Sequence, residues 1–138
     1  MSTVQFSSTS IRVPVTRLWD VLMDSIQNPQ DYLPGILQCK IIRQTGKEII
    51  RKVKTSVGEF FEQIIVDMKN LTISFRLLTH PDYTGTTTSQ IVSTNDETGM
   101  LLLTLTRQYE SKFPNMIAEP KPESLREALD NVKRSAER

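Results

Sequence analysis

Ser25-Ile-Gln-Asn-Pro-Gln-Asp-Tyr-Leu-Pro-Gly-Ile36 is the stretch where this chain changes its period. On the N-terminal side, Val15, Leu18, Trp19, Leu22, Met23 and Ile26 form one apolar stripe at helical spacing. That helix can open at Pro14 or Thr16. Within the stretch, Asn28 suits an N-cap and Pro29 a first helical position, so a second helix starts there. It must be short, because Leu33-Pro34-Gly35 stops it. From Ile36 to Glu110 the pattern alternates with a period of two, which is the pleat of a β-strand.

Working outward, turn chemistry cuts the alternating region into pieces. Ile36 to Arg43 and Glu48 to Thr55 flank Gly46, and Gly58 precedes Phe60 to Met68. Lys69-Asn70 separates that strand from Leu71 to Thr79. His80-Pro81-Asp82-Tyr83 and Gly85 read as a loop before Thr86 to Thr94; Asn95 to Gly99 is a further turn before Met100 to Tyr109. Residues 4 to 13, ending in Ile11-Arg12-Val13, add a first strand. About seven strands at this spacing predict an antiparallel meander. Residues 111 to 122 hold three prolines and connect to a final helix. Its stripe is Leu125, Ala128, Leu129, Val132 and Ala136, with Glu123 and Glu127 early and Lys133 and Arg134 late, as the helix dipole favours.

The predicted order is strand, helix, short helix, six strands, helix: an α+β fold in one domain spanning 1–138. A curved antiparallel sheet has one apolar face to cover, and two amphipathic helices are available for it. A sheet of this size curls, and a helix laid in the curl can leave a hollow.

The chain has 138 residues, and at that length roughly two-thirds of the unfolded surface is buried. It therefore needs neither disulfide nor metal to hold a core, and no cofactor is expected. Hydrophobic residues at 38% and charged residues at 24% place it among globular proteins. A net charge of +1 gives no field that calls for nucleic acid. One cysteine, Cys39, and one histidine, His80, cannot build a structural zinc site; Cys39 reads as a small buried hydrophobe. No run approaches a membrane span, and Met1-Ser2-Thr3-Val4-Gln5-Phe6 lacks the pattern of a leader, so an intracellular, cytoplasmic protein is expected. Asn70-Leu71-Thr72 fits a glycosylation triplet that carries no meaning without secretion.

Val13-Pro-Val-Thr-Arg-Leu-Trp19, Pro34-Gly-Ile, Ile50-Arg51, Phe60-Phe-Glu62-Gln and Leu105-Thr-Arg107, set in that element order, resemble the START and pollen-allergen-like superfamily (SRPBCC), and within it the AtaL-like branch. The resemblance runs over residues 4 to 110 and implies the helix-grip fold, in which the sheet wraps the C-terminal helix. It also implies an internal cavity for an apolar or amphipathic ligand. The helix from about 122 to 138 is shorter than in typical members, which bears on the cavity's size and closure.

Alternation puts three charges among apolar neighbours. Arg51 shares a strand face with Ile49 and Val53; Glu62 with Phe60, Ile64, Val66 and Met68; Arg107 with Leu101, Leu103, Leu105 and Tyr109. A buried unpaired charge costs several kcal/mol. If inward, the three must therefore pair with one another, line a wet cavity or hold an anion. Two arginines and one glutamate leave room for a ligand carboxylate or phenolate. If a bulge flips the register, they sit in solvent at strand ends instead. Trp19 is either a packing anchor or a cavity wall, and the row Leu71, Ile73, Phe75 and Leu77 is either core or pocket lining.

Residues 40 to 54 are basic, with Lys40, Arg43, Lys47, Arg51, Lys52 and Lys54 against Glu48; they read as a solvated hairpin or as a dock for an acidic partner or an anionic lipid surface. His80 has no visible catalytic partner, and no nucleophile elbow, phosphate loop or metal-ligand spacing is present. Three functions stay open: a small-molecule binding protein, a polyketide cyclase or aromatase-like enzyme using the same cavity, and a protein-interaction module using the hairpin. The pocket candidates are Arg51, Glu62, Arg107, Tyr109, Trp19, Phe60, Ile64, Ile73, Phe75, Leu103 and Leu105.

Overall fold

The computed structural model describes residues 2–56, 58–93, 99–113 and 122–138. Most of the turn expected at Asn95 to Gly99 and most of the proline-bearing connector lie outside the described residues. Among them the elements are β1 (Ser2–Ile11), α1 (Val15–Gln27), a single 3-10 turn (Pro29–Asp31), β2 (Ile36–Thr45), β3 (Glu48–Thr55), β4 (Gly58–Asp67), β5 (Thr72–Leu77), β6 (Tyr83–Ser93), β7 (Leu101–Ser111) and α2 (Pro122–Ala136).

The strands form one antiparallel sheet in the order β1-β7-β6-β5-β4-β3-β2. Consecutive strands β2 to β7 pair with their neighbours, as short turns dictate. β1 closes against β7 across the whole chain, with Ser2 opposite Glu110 and Ile11 opposite Leu101. The sheet curves around α2, which packs on β1 and α1. Arg126 ties α2 to β1, its Nη1 donating to the Ser8 carbonyl at 2.9 Å. Leu18 and Ile26 from α1, Leu129 from α2, and Ile64 and Leu103 from the sheet are fully buried. Each such side chain contributes about 1.5–3 kcal/mol of burial.

The register decides where the three charges go. Register shifts occur in the β2–β3 pair, between Ile36 and Gln38 and between Ile41 and Arg43, both on β2. The β3–β4 and β6–β7 pairs run unbroken, with Arg51 opposite Glu62 and Thr87 opposite Arg107. The alternation along β3, β4 and β7 therefore holds, and Arg51 and Glu62 are buried at 4% and 7% exposure.

Local chemistry moves several boundaries from those expected. β4 stops at Asp67 because its carboxylate turns the chain, accepting from the Asn70 backbone N–H at 3.2 Å and from Asn70 Nδ2 at 2.7 Å. Met68 is thereby thrown out of the inward row and stands 65% exposed. Leu71 takes a left-handed φ of 53°, so β5 begins at Thr72. β6 begins at Tyr83, earlier than Thr86, because His80 Nδ1 accepts the backbone N–H groups of Asp82 (3.0 Å) and Tyr83 (3.2 Å) and closes the loop. The second helix shrinks to one 3-10 turn, since the Asn28 side chain donates back to Asp24 at 2.9 Å instead of capping forward.

Candidate functional site

A cavity of about 140 Å³ lies between the concave face of the sheet and the helices. Phe75, Leu103 and Leu105 form its apolar floor; Leu125, Ala128 and Val132 of α2 form its roof. Leu22 and Ser25 of α1, with Pro29, Tyr32 and Leu33 beyond it, close one side. Charged and hydroxyl groups gather at two poles.

The first pole is an ion pair. α1 has no basic residue in its last turn, so its terminal carbonyls need a cation from elsewhere. Arg51 supplies it from β3: Nη1 donates to the Ile26 carbonyl at 2.7 Å and to the Ser25 carbonyl at 3.3 Å. Its Nε and Nη2 both reach Glu62 Oε1, at 2.9 and 2.8 Å. The guanidinium also lies 5.4 Å from the Phe75 ring centroid, within cation–π range. One arginine thus joins two strands, a helix end and an aromatic ring. Cys39 borders this pole half-buried, less enclosed than a core cysteine, with its Sγ 3.9 Å from the Ile26 carbonyl. Burial pushes its thiol up, against the opposing pull of Arg51.

The second pole is built from β6 and β7. Tyr109 Oη receives the Thr87 hydroxyl at 3.3 Å, and Arg107 sits with its guanidinium carbon 5.3 Å from the Tyr109 ring centroid. Arg107 Nη1 also donates to Gln5 Oε1 of β1 at 3.4 Å. Burial lowers the Arg107 guanidinium from its ordinary value, while Tyr109 opposes that shift. Burial raises the Tyr109 phenol; Thr87 and Arg107 pull it down, and Glu62 adds to the rise. Behind Tyr109 runs an aromatic chain: Tyr83 stacks at 5.8 Å between ring centroids, His80 lies 5.4 Å from Tyr83, and Phe60 lies 4.7 Å from His80.

Gly85 makes this pole possible. It lies opposite Tyr109 at φ 134°, and a methyl group there would run into the Gln108 carbonyl oxygen and lie 2.8 Å from the Tyr109 ring. The tyrosine ring covers the space a side chain would need.

Of the candidates drawn from the sequence, Arg51, Glu62, Phe75, Leu103, Leu105, Arg107 and Tyr109 line this cavity. Trp19, Ile64 and Ile73 are buried in the core and do not line it, because the cavity lies farther along the sheet. Phe60 is half-buried against His80 and likewise stands outside the lining. The hydroxyl groups of Thr87, Ser89 and Ser25 were not foreseen. The available signal was Ile91: an apolar residue on β6 implies that Ser89 and Thr87, two and four places back, share its inward face. His80 serves its loop, with Nδ1 taken by two backbone N–H groups.

The basic hairpin places Lys40 directly opposite Lys52. Lys52 pairs with Glu59 at 3.0 Å and Arg43 with Glu48 at 2.9 Å, both solvent-facing. Among the described residues, no group of three or more His, Cys, Asp or Glu side chains is placed to hold a metal ion. No helix among them is long and apolar enough to cross a membrane.

Comparison with solved structures returns the same architecture. The ZhuI aromatase/cyclase from Streptomyces sp. R1128 superposes with a TM-score of 0.78 at 16% identity, covering 99% of this chain and 94% of that one. Norcoclaurine synthase from Thalictrum flavum, solved with dopamine and hydroxybenzaldehyde, superposes with a TM-score of 0.75 at 15% identity, covering 97% of this chain and 86% of that one. At these identities the likeness is one of fold. No curated protein sequence matches the chain. The family model described as acetylaranotin biosynthesis cluster protein L matches residues 3–138, and the chain is therefore a member of the AtaL family, with the helix-grip fold of the SRPBCC superfamily.

Proposed function

We propose that this protein holds a hydrophobic or amphipathic small molecule, one bearing a carboxylate included, in the cavity under α2. One observation carries the reading: a cavity walled by Phe75, Leu103, Leu105, Leu125 and Val132 has Arg107, Tyr109 and Thr87 converging at one end. Apolar walls with a few placed polar groups are how small-molecule sites are built. The sheet supplies rigid floor and polar groups alike, so the ligand's orientation is fixed by strands rather than loops. Norcoclaurine synthase, of the same fold, has been solved with dopamine and hydroxybenzaldehyde in complex, which supports a ligand role for this architecture.

The test is a titration of benzoate and cinnamate by calorimetry, against wild type and Ala128→Phe. Ala128 lines the roof, so a phenyl group there takes up the space a ligand ring would need. Saturable binding by wild type and none by Ala128→Phe is the expected result. Equal binding by both would move the ligand site elsewhere and remove this reading.

The second reading is a cyclase-like enzyme. It is favoured by the presence of a phenol and a guanidinium on the cavity wall, groups that can polarise a carbonyl, and by the fold shared with an aromatase/cyclase. Turnover of a polyketide-like substrate, lost in Tyr109→Phe with folding intact, would select it.

A further inference from the structure

We propose that the Arg107–Tyr109–Thr87 pole is an oxyanion-binding site, and that the cavity's ligand is a one-ring phenol or enol held there by its ionised oxygen. This rests on the cavity being a ligand site, and adds the ligand's size and the group by which it is held.

Size comes from volume. The cavity is about 140 Å³. A dry cavity of about 150 Å³ holds one benzene ring, whereas drug-sized pockets begin at about 300 Å³. The ring has the Phe75, Leu103 and Leu105 floor on one side and the α2 residues on the other.

The anchoring group follows from a count of donors and acceptors. A tyrosine hydroxyl has one proton to give and two lone pairs to receive. Thr87 Oγ1 donates to Tyr109 Oη at 3.3 Å, so the phenol's own proton is not spent on that contact. That proton is what Tyr109, on the cavity wall, has to offer a ligand. A guanidinium, which has only donors, lies beside it. The ligand atom that fits between a phenol donor and a guanidinium is an oxygen with negative charge, because charge-assisted bonds are the stronger ones.

Among the described residues Glu62 is the carboxylate in the lining; its charge opposes an anion at Tyr109, but Arg51 engages it by one hydrogen bond and a 2.8 Å ion-pair contact at the other pole. Tyr83 backs Tyr109, and His80 backs Tyr83 with its Nδ1 occupied. Among the described residues, the charged ones in the lining are two arginines and one glutamate, a positive balance. In the bound state the ligand's O–H bond has broken: the oxygen keeps the electron pair, and the proton passes to buffer.

Para-nitrophenol tests this, because its phenolate has an absorption band that the neutral phenol lacks. The dye is titrated with the protein in buffer below the dye's own solution pKa, with nitrobenzene as a ring of similar size that keeps the nitro group and lacks the phenolic oxygen. The expected result is a growing phenolate band, with phenolate bound at least about tenfold tighter than phenol, a shift of one pKa unit or more. Arg107→Gln and Tyr109→Phe each lower that preference about tenfold, and Thr87→Val lowers it less. All three keep nitrobenzene binding, which shows that the cavity persists in the variants. Dye bound as neutral phenol, or a band unchanged in Arg107→Gln and Tyr109→Phe, overturns the oxyanion site while leaving the cavity reading intact. Tighter binding of a nitronaphthol than of para-nitrophenol overturns the one-ring limit. If wild type binds neither dye nor nitrobenzene, the cavity reading falls, and the proposal with it.

Discussion

The cavity's two ends carry the same kind of residue and do different things with it. At the first, Arg51 spends its donors on Glu62 and on the Ser25 and Ile26 carbonyls, at 5% side-chain exposure. At the second, Arg107 reaches a neutral amide, Gln5, and the face of a phenol ring. Arg51 is held by full charges and helix carbonyls, so moving it would unpair Glu62 and a helix end together. Arg107 donates to the neutral Gln5 amide and lies over the Tyr109 ring, contacts that cost less to give up than a carboxylate's cation. The first pole is architecture, and the second, on the reading proposed above, is a receptor for charge. An arginine's role thus follows from what its partners would lose, not from its burial alone.

Removing one partner at the first pole tests that distinction most severely. Glu62→Gln leaves a buried guanidinium without its counter-charge and should cost about 3–5 kcal/mol in chemical denaturation. Glu59→Gln, on the solvent face of the same strand, should cost about 0.5 kcal/mol or less, since its pair with Lys52 is exposed. Replacing both members, Arg51→Met with Glu62→Leu, should recover part of the loss. Recovery stays incomplete because the Ser25 and Ile26 carbonyls lose their donor. A single Glu62→Gln variant as stable as wild type would mean the pole is not structural, and the contrast between the two ends would collapse.

Gly85→Ala comes next, because it attacks the second pole through packing. A methyl group meets the Gln108 carbonyl and the Tyr109 ring, and the φ of 134° is strained for any L side chain. Overpacking and strain together should cost about 2–3 kcal/mol. Tyr109 is displaced as well, so anion binding falls even where the variant still folds. Arg107→Gln should sharpen the contrast from the other direction. Its stability should stay within about 1 kcal/mol of wild type, while the affinity for an anionic ring drops about tenfold. A loss of stability there as large as that of Glu62→Gln would make both poles structural.

Much of this was legible in the sequence, and what was not has a physical reason. Period-two alternation set Arg51, Glu62 and Arg107 on the same faces as Val53, Ile64 and Leu105, while a bulge that would turn them to solvent stayed open until the unbroken β3–β4 and β6–β7 registers were seen. The order of elements and the AtaL resemblance supplied the curl of the sheet around α2. Partner choice was not readable. Whether Arg51 meets the end of α1 depends on how a helix docks on a strand 25 residues away in sequence, and no local pattern encodes that. Thr87 escaped because hydroxyl-rich β6 reads as a solvated strand until Ile91 is used to set its phase. Trp19, Ile64 and Ile73 were indistinguishable from cavity lining by pattern, since core and wall obey the same alternation.

The smallest expected effect concerns pH and separates the second pole from the loop behind it. Burial lowers the His80 imidazole from its ordinary 6.5, with the charges of Asp82 and Glu62 opposing the shift. Because the folded state holds the proton less well, the unfolded chain binds it first as pH falls. Stability is therefore full above about pH 6.5 and declines through the window just below it, before the carboxylates begin to titrate. The Nδ1 atom that accepts the Asp82 and Tyr83 backbone N–H groups is the group at stake. His80→Asn keeps an acceptor oxygen near that position without a titrating ring. Melting temperature should then decline with acidification in wild type and stay flat in His80→Asn between about pH 6.5 and pH 5. The ligand preference of the Arg107–Tyr109 pole should be the same in both, because His80 touches that pole only through the Tyr83 ring. A His80→Asn variant that loses ligand preference along with its pH slope would make the aromatic chain part of the receptor itself.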